Sequence, residues 1–199
     1  MDHENECRIG ISTLSTVPWG EHSCVFFDSQ EELLSLVVPY VKAGLEDNEF
    51  CMWITGDPLT GTDAFEALEV VLPHAHQYLA HNQLEIMPSR QWYLPSGKFD
   101  AQMVLDNWLS KARHAQAMGF AGIRITGNPV WLQSEEDWTQ FRDYEEAVHQ
   151  RIRTARIVAL CTYPTVIFQG KHIQDTLSTH NAAYMRERDQ WRRVELSLR

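Results

Sequence analysis

An α/β fold on a mainly parallel central sheet is what this sequence predicts, and three observations carry the prediction. First, five apolar runs of strand length, His22–Phe27, Phe50–Ile54, Leu84–Pro88, Ala121–Gly127 and Ile157–Tyr163, alternate with stretches of helical spacing. Second, the runs are near-continuous, as strands covered on both faces must be. Third, capping and turn residues stand between the strands and the helices. Helices on both sides of the sheet make a three-layer sandwich, with right-handed crossovers.

The elements follow in order. Residues 1–16 read as an N-terminal extension, and a turn at Pro18-Trp19-Gly20 leads into the first strand. Ser29 with Glu32 three residues later is a capping box. It opens a helix to about Glu46, with Leu33, Leu36, Val37 and Val41 apolar and Pro39 expected to kink it. Asn48 suits a left-handed cap after that helix. Thr62–Leu72 has Phe65, Leu68 and Val71 at helical spacing and stops before Pro73. A short helix covers His74–His81. Asp100 caps the longest helix and Gly119 ends it. Ser134 to about Thr154 is a further helix carrying Phe141, Tyr144, Glu145 and Val148, and Lys171–Thr179 is the last. The tail reads either as more helix or as two strands, Ala183–Arg188 and Trp191–Glu195, turning at Asp189.

Composition narrows the function. The chain has 199 residues, 44% hydrophobic and 22% charged, with a formal charge of −10. That is ordinary globular composition, enough for one large domain. The acidic balance argues against direct nucleic-acid binding, which needs a basic field. No apolar stretch is long enough to span a bilayer, and the acidic start Met1–Glu6 lacks the features of a signal peptide, so a cytoplasmic location is expected. Cys7, Cys24, Cys51 and Cys161 are widely spaced and read as reduced packing thiols.

The loop after the first strand, Phe27–Glu32, has no glycine and no lysine but three carboxylates. A phosphate loop needs the opposite. No nucleophile elbow, zincin, dinucleotide-binding or kinase motif occurs either, and no enzyme activity is expected.

The ordered segments Trp19–Leu34, Val38–Leu45, Leu84–Ile86, Trp92–Leu94 with Gly97–Asp100, Gly122–Gly127, Tyr144-Glu145 and Ala159–Tyr163 resemble the methanogen/methylotroph sensory (MEDS) domain. That family includes the sensing part of dichloromethane-responsive regulators. The resemblance covers about residues 17–196, and the domain is taken as residues 17–199. It implies a RecA/KaiC-like fold with a degenerate phosphate loop, closed by a C-terminal β-hairpin. It also implies sensing of small hydrocarbon derivatives. The expected partners are a small apolar or weakly polar ligand and a separate signalling protein, a kinase or transcription regulator, with self-association as a further option. No membrane and no cofactor are expected.

In open α/β sheets ligands sit outside the carboxyl ends of the strands. That rim would present Asp28, Trp53, Thr126, Trp131, Cys161 and Tyr163, with His22, Arg124, Glu145 and His180 around it. Arg124 lies in a buried strand and needs a partner, for which Glu145 is the first candidate. Trp53 and Trp131 are as readily packing residues. His22 and Cys24 face one side of their strand, and Cys161 with His180 could complete a zinc-type set. Compact ligand spacing is missing, so no metal is expected.

Overall fold

The computed structural model describes residues 5–11 and 16–197. The N-terminal stretch forms a short antiparallel ribbon, β1 (Glu6–Arg8) and β2 (Thr16–Pro18). The sequence reading has no strands there. Cys7, Ile9, Ile11 and Val17 are nonetheless buried, so apolar packing holds the ribbon on the domain.

The main run then begins with β3 (His22–Phe27) and α1 (Gln30–Glu46). Next come β4 (Phe50–Thr55), α2 (Gly61–Val71), α3 (Ala75–Ala80) and β5 (Leu84–Pro88). A one-turn helix, α4 (Ser89–Tyr93), was not legible from spacing. It precedes α5 (Ala101–Ala117), β6 (Ile123–Gly127), α6 (Glu135–Ile152), β7 (Ile157–Pro164) and α7 (Lys171–Thr179). The tail takes the two-strand form, β8 (Ala182–Glu187) and β9 (Gln190–Glu195).

Several local expectations hold for physical reasons. Ser29, Asp100 and Ser134 each accept a backbone N–H at the start of their helices. Asn48 and Gly119 adopt positive φ after α1 and α5. Pro39 stays inside α1, which continues past it to Glu46.

Seven strands pair in the order β5-β4-β6-β7-β3-β8-β9. Every pairing is parallel except β8 with β9. Side chains alternate across the strands. Val25, Phe27, Cys51, Trp53, Val158 and Leu160 pack toward α1, α2 and the N-terminal ribbon. Cys24, Met52, Ile54, Ile125, Ala159 and Tyr163 pack toward α5 and α6. Burial of each Val, Leu, Ile, Phe or Met side chain among them contributes about 1.5–3 kcal/mol.

Arg124 alternates onto the α1 side and is 1% exposed. Its Nε and Nη2 donate to the two Glu49 carboxylate oxygens at 2.7 and 2.8 Å. Nη1 donates to the carbonyls of Tyr40 (3.1 Å) and Ile9 (3.3 Å), and Nη2 also donates to Arg8 O at 2.6 Å. The guanidinium lies 4.6 Å from the Tyr40 ring centre. Burial opposes its charge, but the adjoining Glu49 carboxylate outweighs that and raises its pKa. The expected partner, Glu145, is thus replaced by Glu49. The reason is face: Glu145 sits on α6, across the sheet from Arg124. A Cβ on Gly44 would stand 2.5 Å from Arg124 Nε, so α1 needs a glycine where the guanidinium passes.

An Arg124→Met chain should lose about 3–5 kcal/mol of stability, because Glu49 would remain buried without its countercharge. Lys42→Ala, at the exposed pair with Glu46, should cost no more than about 0.5 kcal/mol. Urea unfolding of the two variants measures the contrast.

Candidate functional site

On the α6 side of the sheet the sequence brings four distant polar residues together. His22 opens β3, and Cys161 lies in β7, with Cys24 as its register partner. Asn181 sews the start of β8 to His22: its Oδ1 accepts from His22 N, and its own N donates to His22 O, both at 2.9 Å. That pairing lays the His180 ring against His22, with centroids 3.9 Å apart. Glu145 reaches down from α6. Its Oε2 stands 3.1 Å from His22 Nε2 and 3.3 Å from His180 Nε2. Cys161 Sγ lies 3.4 Å from His22 Nε2 and 3.7 Å from Glu145 Oε2. Each imidazole turns its Nδ1 to a carbonyl of α7, His22 to Thr179 O at 3.3 Å and His180 to Thr176 O at 2.7 Å.

Burial governs the electrostatics here. It pushes the Glu145 carboxyl up to about 7, with His180 and the Cys161 thiol pulling the other way. Burial also pushes His22 and His180 down to about 3, reinforced by His149 beside the first and His22 beside the second. Both rings are therefore neutral at neutral pH. The Cys161 thiol is raised well above its ordinary range by burial and then by Glu145.

Beside this tetrad lies a small cavity between the sheet and α6. His22, Glu145 and Cys161 supply its polar wall, and Tyr93, Trp108, Ile125, Gly127, Tyr144 and Ala159 are among the rest of its lining. A water-sized sphere can place its centre in about 20 Å³ of it, room for a molecule the size of water. Trp108 Nε1 donates to Tyr144 Oη at 2.7 Å, which fixes one end. Gly127 leaves room at the other, since a Cβ there would stand 2.8 Å from Tyr93 Oη. An aromatic stack of Tyr93, Phe99, Trp131 and Phe141 continues outward, with centroid spacings of 4.9–6.5 Å.

The ten residues expected around one rim separate into four groups. His22, Glu145, Cys161 and His180 meet in the tetrad, and Tyr163 joins them, with its ring edge-on to His180 at 6.1 Å. The buried Tyr163 hydroxyl finds no hydrogen-bond partner among the described residues. Trp53, Arg124 and Thr126 alternate onto the opposite face of the sheet from the tetrad. Trp131 belongs to the aromatic stack. Asp28 is exposed and accepts from the Thr165 hydroxyl, while its own N donates to Glu32 Oε2 at 2.8 Å. The cavity lies under α6, against mid-sheet, and not at the carboxyl rim. Sequence reasoning did not single out Tyr93, Trp108, Tyr144 or Glu49 as site or partner residues. Trp108 lies on the apolar face that spacing shows for α5, whereas Tyr93 ends α4, which spacing does not show, and Glu49 is placed only by the register of β4 beside β6.

A layered parallel sheet with a tetrad and a small, mostly apolar cavity under one helix defines an α/β small-molecule-scale pocket domain. Structural likeness agrees on the architecture. A KaiC-like protein from Pyrococcus horikoshii OT3 superposes with a TM-score of 0.56 at 11% identity, covering 94% of this chain and 85% of that one. In sequence, residues 21–181 match the model of the MEDS family, the methanogen/methylotroph, DcmR sensory domain. The chain belongs to this family of sensory domains. It is also 25% identical over 171 residues to the transcriptional repressor DcmR of Methylorubrum extorquens. The match covers 84% of this chain and 61% of the repressor, so the chain spans about three-fifths of that relative's length.

All four cysteines are free, and burial raises the pKa of each. With a chelator present, a chromogenic disulfide reagent should meet less than about a tenth of the usual thiolate near neutral pH. Thiol release should therefore be slow in the native protein and rapid once denaturant unfolds it.

Proposed function

We propose that this domain is a non-catalytic sensor of a very small, weakly polar molecule, and that it passes the binding event to a separate regulatory partner. The observation that carries the reading is the cavity. Its walls are aromatic and aliphatic, and one side offers the tetrad as a polar handle. Such a site holds a ligand mainly by burial and orients it by one or two hydrogen bonds. As it stands the cavity admits a molecule the size of water, so in this reading a short alcohol, aldehyde or haloalkane enters as the cavity opens. Membership of a sensory family and likeness to a repressor support the regulatory half.

The first turn of α1 supports the non-catalytic half. There Ser29 Oγ accepts from Glu32 N at 3.1 Å, and the Glu32 carboxylate accepts from Asp28 N. A triphosphate approaching this turn would meet carboxylates where a nucleotide site offers lysine and free N–H groups. A ligand signals only by binding two states unequally. In this reading the elements that change between states are the loop that packs Phe99 against Trp131 and Tyr93, and the β8–β9 hairpin next to His180.

A second reading rests on the same cavity. Room for one water is also what a nearly solid core leaves, and that suits an interaction module without a ligand. A thermal-shift screen of short alcohols, aldehydes and haloalkanes separates the two. A sensor ligand at a hundredfold excess over its Kd should add about 2.7 kcal/mol. That raises the Tm of a domain this size by about 5–11 °C. Gly127→Ala, which crowds the Tyr93 hydroxyl, should abolish the shift. No shift with any compound at millimolar concentration would sink the sensor reading in favour of the interaction module.

A further inference from the structure

We infer that His22, Glu145, Cys161 and His180 form a binding site for one divalent transition metal, with Zn²⁺ the ion its donors fit best. Among the described residues these four can point one ligand atom each at a common centre, with all four atoms within 4.8 Å of one another. The spacing is more telling than the proximity. A tetrahedral ion with bonds of about 2.0–2.3 Å sets its donors roughly 3.3–3.6 Å apart. Four of the six donor separations are 3.1, 3.3, 3.4 and 3.7 Å, and the two that involve His180 with His22 and with Cys161 lie within 4.8 Å.

The hydrogen bonding around the four points the same way. Each imidazole directs Nδ1 at a backbone carbonyl, so it donates Nδ1–H there and keeps its Nε2 lone pair toward the centre. A carbonyl on the far nitrogen is the usual support of a metal-bound histidine, because it fixes tautomer and ring angle. The buried His180 Nε2 makes no hydrogen bond among the described residues. Two imidazole lone pairs, a carboxylate and a sulfur thus converge, and Glu145 Oε2 faces the two neutral imidazoles and the Cys161 thiol. Without an ion the Cys161 thiol keeps its proton and donates toward Glu145; once that proton leaves, the cluster needs positive charge between its members. A divalent ion supplies it with one particle, binding the thiolate and displacing the thiol proton.

The donor set discriminates among ions. One sulfur, two imidazoles and one carboxylate suit Zn²⁺ and its tetrahedral substitutes, whereas Mg²⁺ and Ca²⁺ prefer oxygen alone. Glu145 takes the place the sequence pattern offered to Cys24, which shares the strand face but stands outside the group. His22, Glu145 and Cys161 also line the cavity, so an ion here would stand at its polar wall. The inference does not depend on the sensing reading, since an ion can be measured without any organic ligand.

The test uses the whole chain, stripped with chelator and titrated with Co²⁺, and in parallel analysed for zinc as purified. The expected result is one ion per chain, intense tetrahedral d–d bands and a thiolate-to-cobalt charge-transfer band. Cys161→Ser should remove the charge-transfer band, and Cys24→Ala should leave it. His180→Gln and Glu145→Gln should weaken binding by more than the roughly 10–100-fold that outer-shell changes cost. Circular dichroism checks that each variant is folded. If a variant fails to fold, the wild-type stoichiometry and spectrum still decide. A folded wild-type chain that takes up no stoichiometric ion, or shows only octahedral Co²⁺ without a thiolate band, overturns the inference. So does binding unchanged in both Cys161→Ser and His180→Gln.

Discussion

The guanidinium of Arg124 is the constraint on which this architecture turns. It is buried, and a buried cation is tolerable only if its donors are filled. All five N–H groups of an arginine find acceptors here, two on Glu49 and three on the carbonyls of Arg8, Ile9 and Tyr40. Those acceptors come from the N-terminal ribbon, from α1 and from the turn before β4. One side chain of β6 therefore fixes the ribbon, the helix and the neighbouring strand relative to one another. Tyr40 adds to the same joint, with its hydroxyl 3.1 Å from the carbonyls of both Ile125 and Val158.

The two faces of the sheet solve the problem of buried polarity differently. On the α1 face a permanent cation is matched to a carboxylate, and the charges cancel within the fold. On the α6 face a carboxyl, a thiol and two imidazoles meet with no lysine or arginine paired to them among the described residues. Desolvation keeps those groups neutral by moving protons, so their charge state is adjustable where the other is fixed. Placing the small cavity beside the adjustable group puts apolar walls and responsive chemistry in one spot. The surrounding aromatic rings supply rigid walls, since most are locked by edge-on or tilted contacts with their neighbours.

Much of the fold was legible because its signals are local. Apolar runs, the caps at Ser29, Asp100 and Ser134, and the positive-φ stops at Asn48 and Gly119 depend only on neighbouring residues. The β1–β2 ribbon and α4 were not, since each is short and stabilised by tertiary contacts. Of the site, His22, Glu145, Cys161 and His180 were legible as chemistry but not as geometry. Residue type marked them as candidates, yet face and register decided their company. The pairing of Arg124 illustrates the limit. The near-continuous apolar run showed that its strand was buried on both sides, but which helix lay on which side is a property of the crossover connections. The choice between Glu49 and Glu145 rested on that alone.

The tetrad has a topological property that its chemistry does not reveal. His22 and Cys161 lie 139 residues apart in sequence, and His180 is held beside His22 only because β8 pairs with β3. The donors thus come from β3, from the end of α7 just before β8, from α6 and from the central strand β7. No fragment and no half-formed sheet contains the site. Its donors meet only where segments far apart in the chain close on one another. Anything held there is therefore linked to global unfolding and not to local fraying, so occupancy would be felt across the whole domain at once.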